Sequence, residues 1–238
     1  MPPIILHSSW DERPTDSKEK VEPLRKYFFI FEGQNTEYFY FSKLKNLKTE
    51  IGIDPLIDLV VIEKTGVDQN ITYPKHLINL AKKTIYDDQF DEERDKMIVV
   101  FDTDIFSEKV EKEKFQELLE DIQQERNKNI ELGLTNPNFE LFLLLHIEDS
   151  IKSIIDPNKD EILKNAKIKN QRPSYCYLQK ATSMNCKKNK KIGDLAKNID
   201  TAIEQEKLIN QDPKQCLENL TSNIASIIEK IKSEKLPF

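Results

Sequence analysis

The sequence predicts an α/β protein: a mostly parallel four-stranded sheet flanked by helices, followed by a helical C-terminal region. Three observations carry this. Between residues 26 and 148, short apolar runs rich in Val, Ile and Phe alternate with amphipathic stretches, and such alternation builds parallel sheets through right-handed crossovers. Apolar or β-prone runs stop abruptly at carboxylates in three strings: Phe29-Ile30-Phe31-Glu32-Gly33, Val99-Val100-Phe101-Asp102-Thr103-Asp104 and Thr135-Asn136-Pro137-Asn138-Phe139-Glu140. After Ser150 no convincing strand pattern recurs.

Residues 1–25 hold Pro2, Pro3, Pro14 and Pro23 without periodicity and read as an irregular arm. Residues 27–31 form the first strand, apolar enough to be buried on both faces. Gly33 follows at once, where a glycine permits positive φ. Thr36 can cap a helix to about residue 48 with Tyr38, Phe41 and Leu44 on one side. A second strand is expected at 56–62 and a helix at 73–86 with Leu77, Leu80 and Ala81 inward. The third strand is 97–101, and 108–128 is a long charged helix burying Phe115, Leu118, Leu119 and Ile122. The fourth strand is 130–134. Pro137 then opens an apolar helix at 139–147, a position where proline is tolerated.

Beyond this domain of 26–148, the region 149–238 shows helical patterns at 159–168, 174–183, 193–210 and 213–233, punctuated by Pro157, Pro173 and Pro213. The last carries a stripe of Leu217, Leu220, Ile224, Ile227, Ile228 and Ile231. Core packing explains the stripe most simply; a partner or dimer helix is the alternative.

Composition sets outer bounds. At 238 residues, 33% charged and 38% hydrophobic, the chain is long enough for a substantial core and fits a soluble globular protein. No apolar run approaches the roughly 18–20 residues that cross a bilayer. The N-terminus lacks the basic region of a signal peptide, so the cytoplasm is the expected compartment. Cys176, Cys186 and Cys216 are too widely spaced to suggest a disulfide framework or a zinc site. The net charge of −6 conceals a polarity. Residues 164–197 hold ten Lys/Arg against one acid, Asp194, a local +9 that leaves −15 on the remainder. Such a segment is compatible with a solvated lysine surface and equally with phosphate contact, which follows local rather than overall charge. Tyr175 and Tyr177, interleaved with it, can stack on bases or pack as ordinary tyrosines.

In an open α/β sheet, ligands gather at the carboxyl ends of the strands, so the acids that end these runs are expected to converge. Asp102 and Asp104, at i and i+2, point the same way in an extended chain. Two aligned acids against a buried strand repel each other, and a divalent cation relieves that cost. Glu37 falls in the first turn of a helix, where the dipole favours a carboxylate with or without function. Glu140 is a lone acid among Phe139, Leu141, Phe142 and Leu143, and a shared metal or a helix N-terminus accounts for it. His146, six residues on, lies on another face and reads as structural; His7 and His76 carry no pattern. Among the basic residues, Lys187, Lys188, Lys190 and Lys191 form the densest group for nucleic acid.

Taken together, Glu32-Gly33-x-x-Thr36-Glu37-x-x-Tyr40-Phe41, Asp102-Thr103-Asp104 and Asn136-Pro137-x-Phe139-Glu140-x-x-Leu143-Leu144-Leu145-His146 resemble the Toprim-containing RloB-like family of prokaryotic defence proteins, which includes abortive-infection components. The resemblance covers residues 26–148. It implies a Toprim-like, Rossmann-like sheet in which Glu32 is the general acid/base and a metal ligand, Asp102 and Asp104 hold Mg2+ (or Mn2+), and Glu37 and Glu140 complete a catalytic site for phosphodiester hydrolysis. It also implies an ATPase partner encoded alongside, a two-component anti-phage system, and a nucleic-acid substrate, DNA or RNA, with transfer RNA in view. One small domain offers little surface to grip a polymer, which leaves a homodimer open as the active form.

Two rival readings start from the same residues. Val-Val-Phe-Asp-Thr-Asp looks like the nucleophile strand of a haloacid-dehalogenase-type phosphatase, but Ile105 stands where Thr or Val is usual and the strand is third rather than first. The other rival is a non-catalytic binding module with residual acids.

Overall fold

The computed structural model describes residues 23–236 apart from 70, 87 and 88. Most of the irregular arm expected at 1–25 therefore lies outside the described residues, and Arg25 already pairs with Ile57 in the sheet. Four strands run parallel: β1 (Arg25–Phe31), β2 (Ile57–Val61), β3 (Lys96–Asp102) and β4 (Ile130–Asn136). A fifth, β5 (Thr221–Ser222), joins the edge antiparallel to β4, and the order is β2-β1-β3-β4-β5.

Side chains alternate across β1, so Tyr27, Phe29 and Phe31 enter one hydrophobic layer while Phe28 and Ile30 enter the other. The first layer is covered by α1 (Thr36–Leu47), α4 (Phe139–Leu144) and the C-terminal helices α5 (Lys159–Lys164), α6 (Pro173–Thr182), α7 (Ile199–Glu206) and α8 (Ile224–Ser233). The second is covered by α2 (Pro74–Ile85) and α3 (Lys109–Ile122), through Leu77, Ile78, Ala81, Phe115 and Leu119. With both faces covered, the central strands β1 and β3 are apolar through Tyr27–Phe31 and Met97–Phe101, as a parallel sheet requires.

The sheet has five strands rather than four, and β5 comes from the region expected to be helical throughout. The long helices expected at 193–210 and 213–233 are each broken. Residues Lys190–Asn198 and Pro213–Glu218 are 3-10 helices, and only α7 and α8 are α-helical. Side chains cause the second break. The Asn136 amide donates to the carbonyls of Cys216 and Asn219, both at 2.8 Å, which withdraws those carbonyls from any continuing helix. Glu206 then restarts one: its buried carboxylate accepts from Ser222 Oγ and from the amides of Ala225 and Ser226 at the start of α8, where the helix dipole favours an anion. The expected stripe is thereby divided. Ile224, Ile227, Ile228 and Ile231 sit in the first layer, whereas Leu217 packs against the second. The C-terminal helix buries this face against its own chain.

Two smaller expectations also fail. Pro137 precedes α4 instead of opening it, in a turn whose Asn136–Pro137 peptide is cis. Thr36 is the first residue of α1 rather than its cap; its hydroxyl donates to the Cys186 carbonyl, a tether between α1 and the C-terminal region.

Candidate active site

In this strand order, the crossover from β1 runs one way to β2, and the next runs back from β2 past β1 to β3. The crevice between the carboxyl ends of β1 and β3 is the switch point at which open α/β sheets bind ligands. Glu32 leaves β1 and Asp102 closes β3 at that point. They border a cleft of about 600 Å3 that Glu37, Asp104 and Glu140 also line. All five acids expected from sequence therefore share one cavity.

The cleft holds its acids in an unfavourable state. Glu32 is pushed up to about 7, chiefly by burial; Asp104 pushes it further, while the Asp102 amide and Lys64 pull it back. Glu37 keeps some exposed surface but sits among protein atoms, and burial with the repulsion of Glu140 and Glu32 takes it to about 7 as well. Asp102 is raised well above the carboxylate range by burial and then by Glu37, Glu32 and Glu140, although Thr135 Oγ1 donates to its Oδ1 at 2.6 Å. Glu140, in the first turn of α4, is raised by burial and steadied by Lys187 and by the Cys186 thiol, 3.6 Å from Oε1.

Asp104 differs from these four. The extended i, i+2 geometry expected of Asp102 and Asp104 is absent, because Thr103 leaves the strand region (φ −100°, ψ 2°) and Asp104 begins a 3-10 turn, Asp104–Phe106. The Thr103 amide and hydroxyl both donate to the Thr135 carbonyl, which turns the chain there. Asp104 Oδ2 instead accepts from Arg172 Nη2 and Asn165 Nδ2, each at 3.2 Å. Asn165 in turn accepts from Asn138, and Asn138 from Ser174 at 2.6 Å. This chain of buried amides welds the loop after β3 to the start of α4 and to α6.

The cleft also has a basic lining, which comes from the C-terminal region: Lys167, Arg172 and Lys187, with Lys187 Nζ 5.7 Å from the centre of the Tyr175 ring. Of the four lysines singled out in sequence, only Lys187 lines the cleft. Lys188, Lys190 and Lys191 are exposed outside it. Tyr175 belongs to this lining; Tyr177 does not, and donates to Asn158 and Glu161. Arg172 and Lys167 were legible only as members of a basic block. Lys64 carried no signal; its ammonium donates to the carbonyls of Glu32 (2.6 Å) and Ile71 (2.5 Å), pinning the end of β1. His146 is buried and satisfied, its Nδ1–H donating to the Phe142 carbonyl at 3.0 Å and its Nε2 accepting from Tyr40 at 2.8 Å. Burial lowers it to about 4, so it is neutral and structural.

Gly33 has a role other than the expected one. Its φ is not positive. It leaves room: a β-carbon there would stand 2.1 Å from Glu37 Oε2.

Whether these residues suit a divalent cation is decided by the donor set. Among the described residues no group of three or more His, Cys, Asp or Glu stands in ligating arrangement, so an all-protein cage is not preformed. Magnesium keeps several waters and takes one or two carboxylates, and a cleft of mutually repelling, partly desolvated acids matches that mode.

The fold and site thus define a class: an α/β protein with an acidic cleft at the switch point of a parallel sheet, with a basic lining from the C-terminal region. A family model described as RloB-like protein matches residues 27–231, and the chain belongs to the RloB-like family. The match runs through the C-terminal region and so includes Arg172 and Lys187. No curated protein and no solved structure matches the chain. Among the described residues, no helix is long and apolar enough to cross a membrane.

Proposed function

We propose that this protein is a Toprim-like, magnesium-dependent nuclease that hydrolyses phosphodiester bonds of nucleic acid, and that it acts as the toxic effector of a two-component anti-phage system with an ATPase partner. The observation that carries the reading is the meeting of two charge types in one cleft: Glu32, Glu37, Asp102, Asp104 and Glu140 together with Lys167, Arg172 and Lys187. A phosphodiester bound through metal needs both, acids for the cation and cations for its oxygens.

In this reading Asp102 and Asp104 hold Mg2+ or Mn2+ with Glu32 beside them. The metal, when bound, supplies Lewis-acid polarisation of the phosphoryl group and neutralises developing charge. The chain supplies the rest. With its carboxyl near 7, Glu32 is matched to accept a proton from water at neutral pH. Glu37 and Glu140 set the field around it. Arg172 and Lys187 neutralise phosphate oxygens, and the Tyr175 face offers a platform for a base. The exposed Lys188, Lys190 and Lys191 extend the basic surface beyond the cleft along a longer substrate, DNA or RNA, transfer RNA included. A homodimer would double that surface, and the protein acts in the cytoplasm.

One observation favours the binding-module alternative: Asp104 already has a cationic partner in Arg172. Heating separates the readings, because a ligand that binds only the folded state raises the apparent Tm. The nuclease reading predicts stabilisation by Mg2+ or Mn2+ that Asp102→Asn removes, together with metal-dependent cleavage of nucleic acid that Glu32→Gln, Asp102→Asn and Asp104→Asn each abolish. Retained cleavage in all three variants sinks the assignment.

A further inference from the structure

We infer that Arg172 exchanges partners during the working cycle: it is the counter-ion of Asp104 while the metal is away, and a phosphate-binding residue once the metal takes Asp104. The inference rests on the metal-nuclease reading and adds a positioning role that no sequence motif marks.

The geometry supplies both halves of the exchange. Arg172 Nη2 donates to Asp104 Oδ2 at 3.2 Å, and Nη1 donates to the Asn165 carbonyl. A guanidinium carries five N–H donors in a fixed fork, so three remain. The side chain is 39% exposed and lines the cleft between the acids and Tyr175. Its anchor does not depend on Asp104. Asn165 is buried and bonded through Asn138 to the hydroxyl of Ser174, so the carbonyl that grips Nη1 stays in place when the carboxylate turns away. Arg172 is thus fixed at one nitrogen and exchangeable at the other.

The charges favour the exchange. A dication on the Asp104 carboxylate competes with the guanidinium for its negative charge, and the neutral Asn165 amide can continue to orient the carboxylate. A guanidinium released beside a cleft that now holds a metal ion finds its next anion on the metal-bound phosphate, which it can grip with two parallel bonds.

The competition makes a prediction of opposite signs. In Arg172→Gln, which keeps a donor for the Asn165 carbonyl but loses the charge, Mn2+ should bind about three- to tenfold more tightly, because a competitor for Asp104 is gone. Thymidine bisphosphate in the presence of Ca2+ should bind roughly tenfold or more weakly, because a charge-assisted grip is lost. Arg172→Met should behave alike, and Arg172→Lys, which keeps the charge, should bind Mn2+ as the wild type does. Lys83→Gln, on the exposed face of α2, controls for net charge and should change neither.

The experiment is Mn2+ titration by electron paramagnetic resonance, with calorimetry for the bisphosphate, on the full chain. Tighter metal and weaker phosphate binding in Arg172→Gln support the exchange. Metal binding unchanged or weakened overturns it, since a strut whose loss loosens the site would weaken both ligands. A wild-type protein that binds no Mn2+ overturns the metal-nuclease reading itself, and the exchange with it.

Discussion

The carboxylate of Glu37 rests against the α-carbon of Gly33, so close that a β-carbon at residue 33 would stand 2.1 Å from Oε2. The glycine before α1 is thereby a spacer for the Glu37 carboxylate. Because Gly33 has no positive φ, alanine can take its backbone conformation without strain. Gly33→Ala should therefore fold, with a Tm within a few degrees of wild type, but with the Glu37 carboxylate driven out of the cleft. Its cleavage activity should fall at least as far as that of Glu37→Gln. Full activity in Gly33→Ala would remove Glu37 from the site.

Stability without metal should fall as pH rises. Glu32 and Glu37 each move from 4.5 unfolded to about 7 folded, so the folded state binds more protons between those limits. Raised acids destabilise the fold progressively through that window and fully above it. Asp102, raised well above its ordinary value, adds to the trend at the upper end. His146 works in the opposite sense, since its folded value of about 4 lies below the unfolded 6.5 and stability is lost as pH falls between them. Asp104, Glu140 and Glu206 are raised by burial as well, whereas the acids held low, Glu111, Asp121 and Asp194, are surface groups screened by solvent, so the buried acids prevail. Thermal melts in chelator should give a higher Tm at about pH 5.5 than at about pH 8, and Mg2+ at the higher pH should recover most of the difference. A Tm that rises steadily across this range in chelator would contradict the cleft electrostatics.

Asp102 and Asp104 should respond differently to the same change. Asp102→Asn removes a buried acid whose neighbours repel it, so the metal-free fold should be no less stable than wild type. Asp104 is raised by burial too, but Arg172 and Asn165 pull it back, so Asp104→Asn should melt a few degrees below Asp102→Asn, the scale of about 1 kcal/mol in a chain of this size. Both should lose cleavage and metal stabilisation. Equal melting shifts in the two variants would argue that Arg172 does not depend on Asp104.

The 3-10 helix Lys190–Asn198 lies against α1 at Gly193, where a β-carbon would stand 2.3 Å from the Phe39 carbonyl oxygen. Backbone cannot yield as a side chain does. Gly193→Ala should cost about 1–3 kcal/mol, measured as a lower urea midpoint, while Glu37 and Asp102 keep their places.

Much of this was legible in the chain, for identifiable reasons. The four parallel strands announce themselves because strands buried on both faces are continuous apolar runs, and the acids that follow them fell into one cleft because strand ends share one edge. Three things were illegible. β5 is two residues long, too short for any alternation, and is held by pairing with Thr135 and Asn136, far back in the chain. The placement of Asp104 depends on Thr103 leaving the strand, which an extended i, i+2 rule does not foresee. Arg172 and Lys167 lay in a lysine-rich block, where local composition says nothing of which cation faces inward. The count of lysines at 187–191 pointed to the right neighbourhood, and only Lys187 reaches the cleft.

The most direct measurement compares induced expression of wild type and Asp102→Asn in cells, with and without the proposed ATPase partner and under phage infection, followed by sequencing of RNA and DNA ends. A metal-dependent nuclease predicts toxicity that requires Asp102, with new ends in one class of nucleic acid. Identical survival and identical ends for wild type and Asp102→Asn, at rest and under infection, would contradict it.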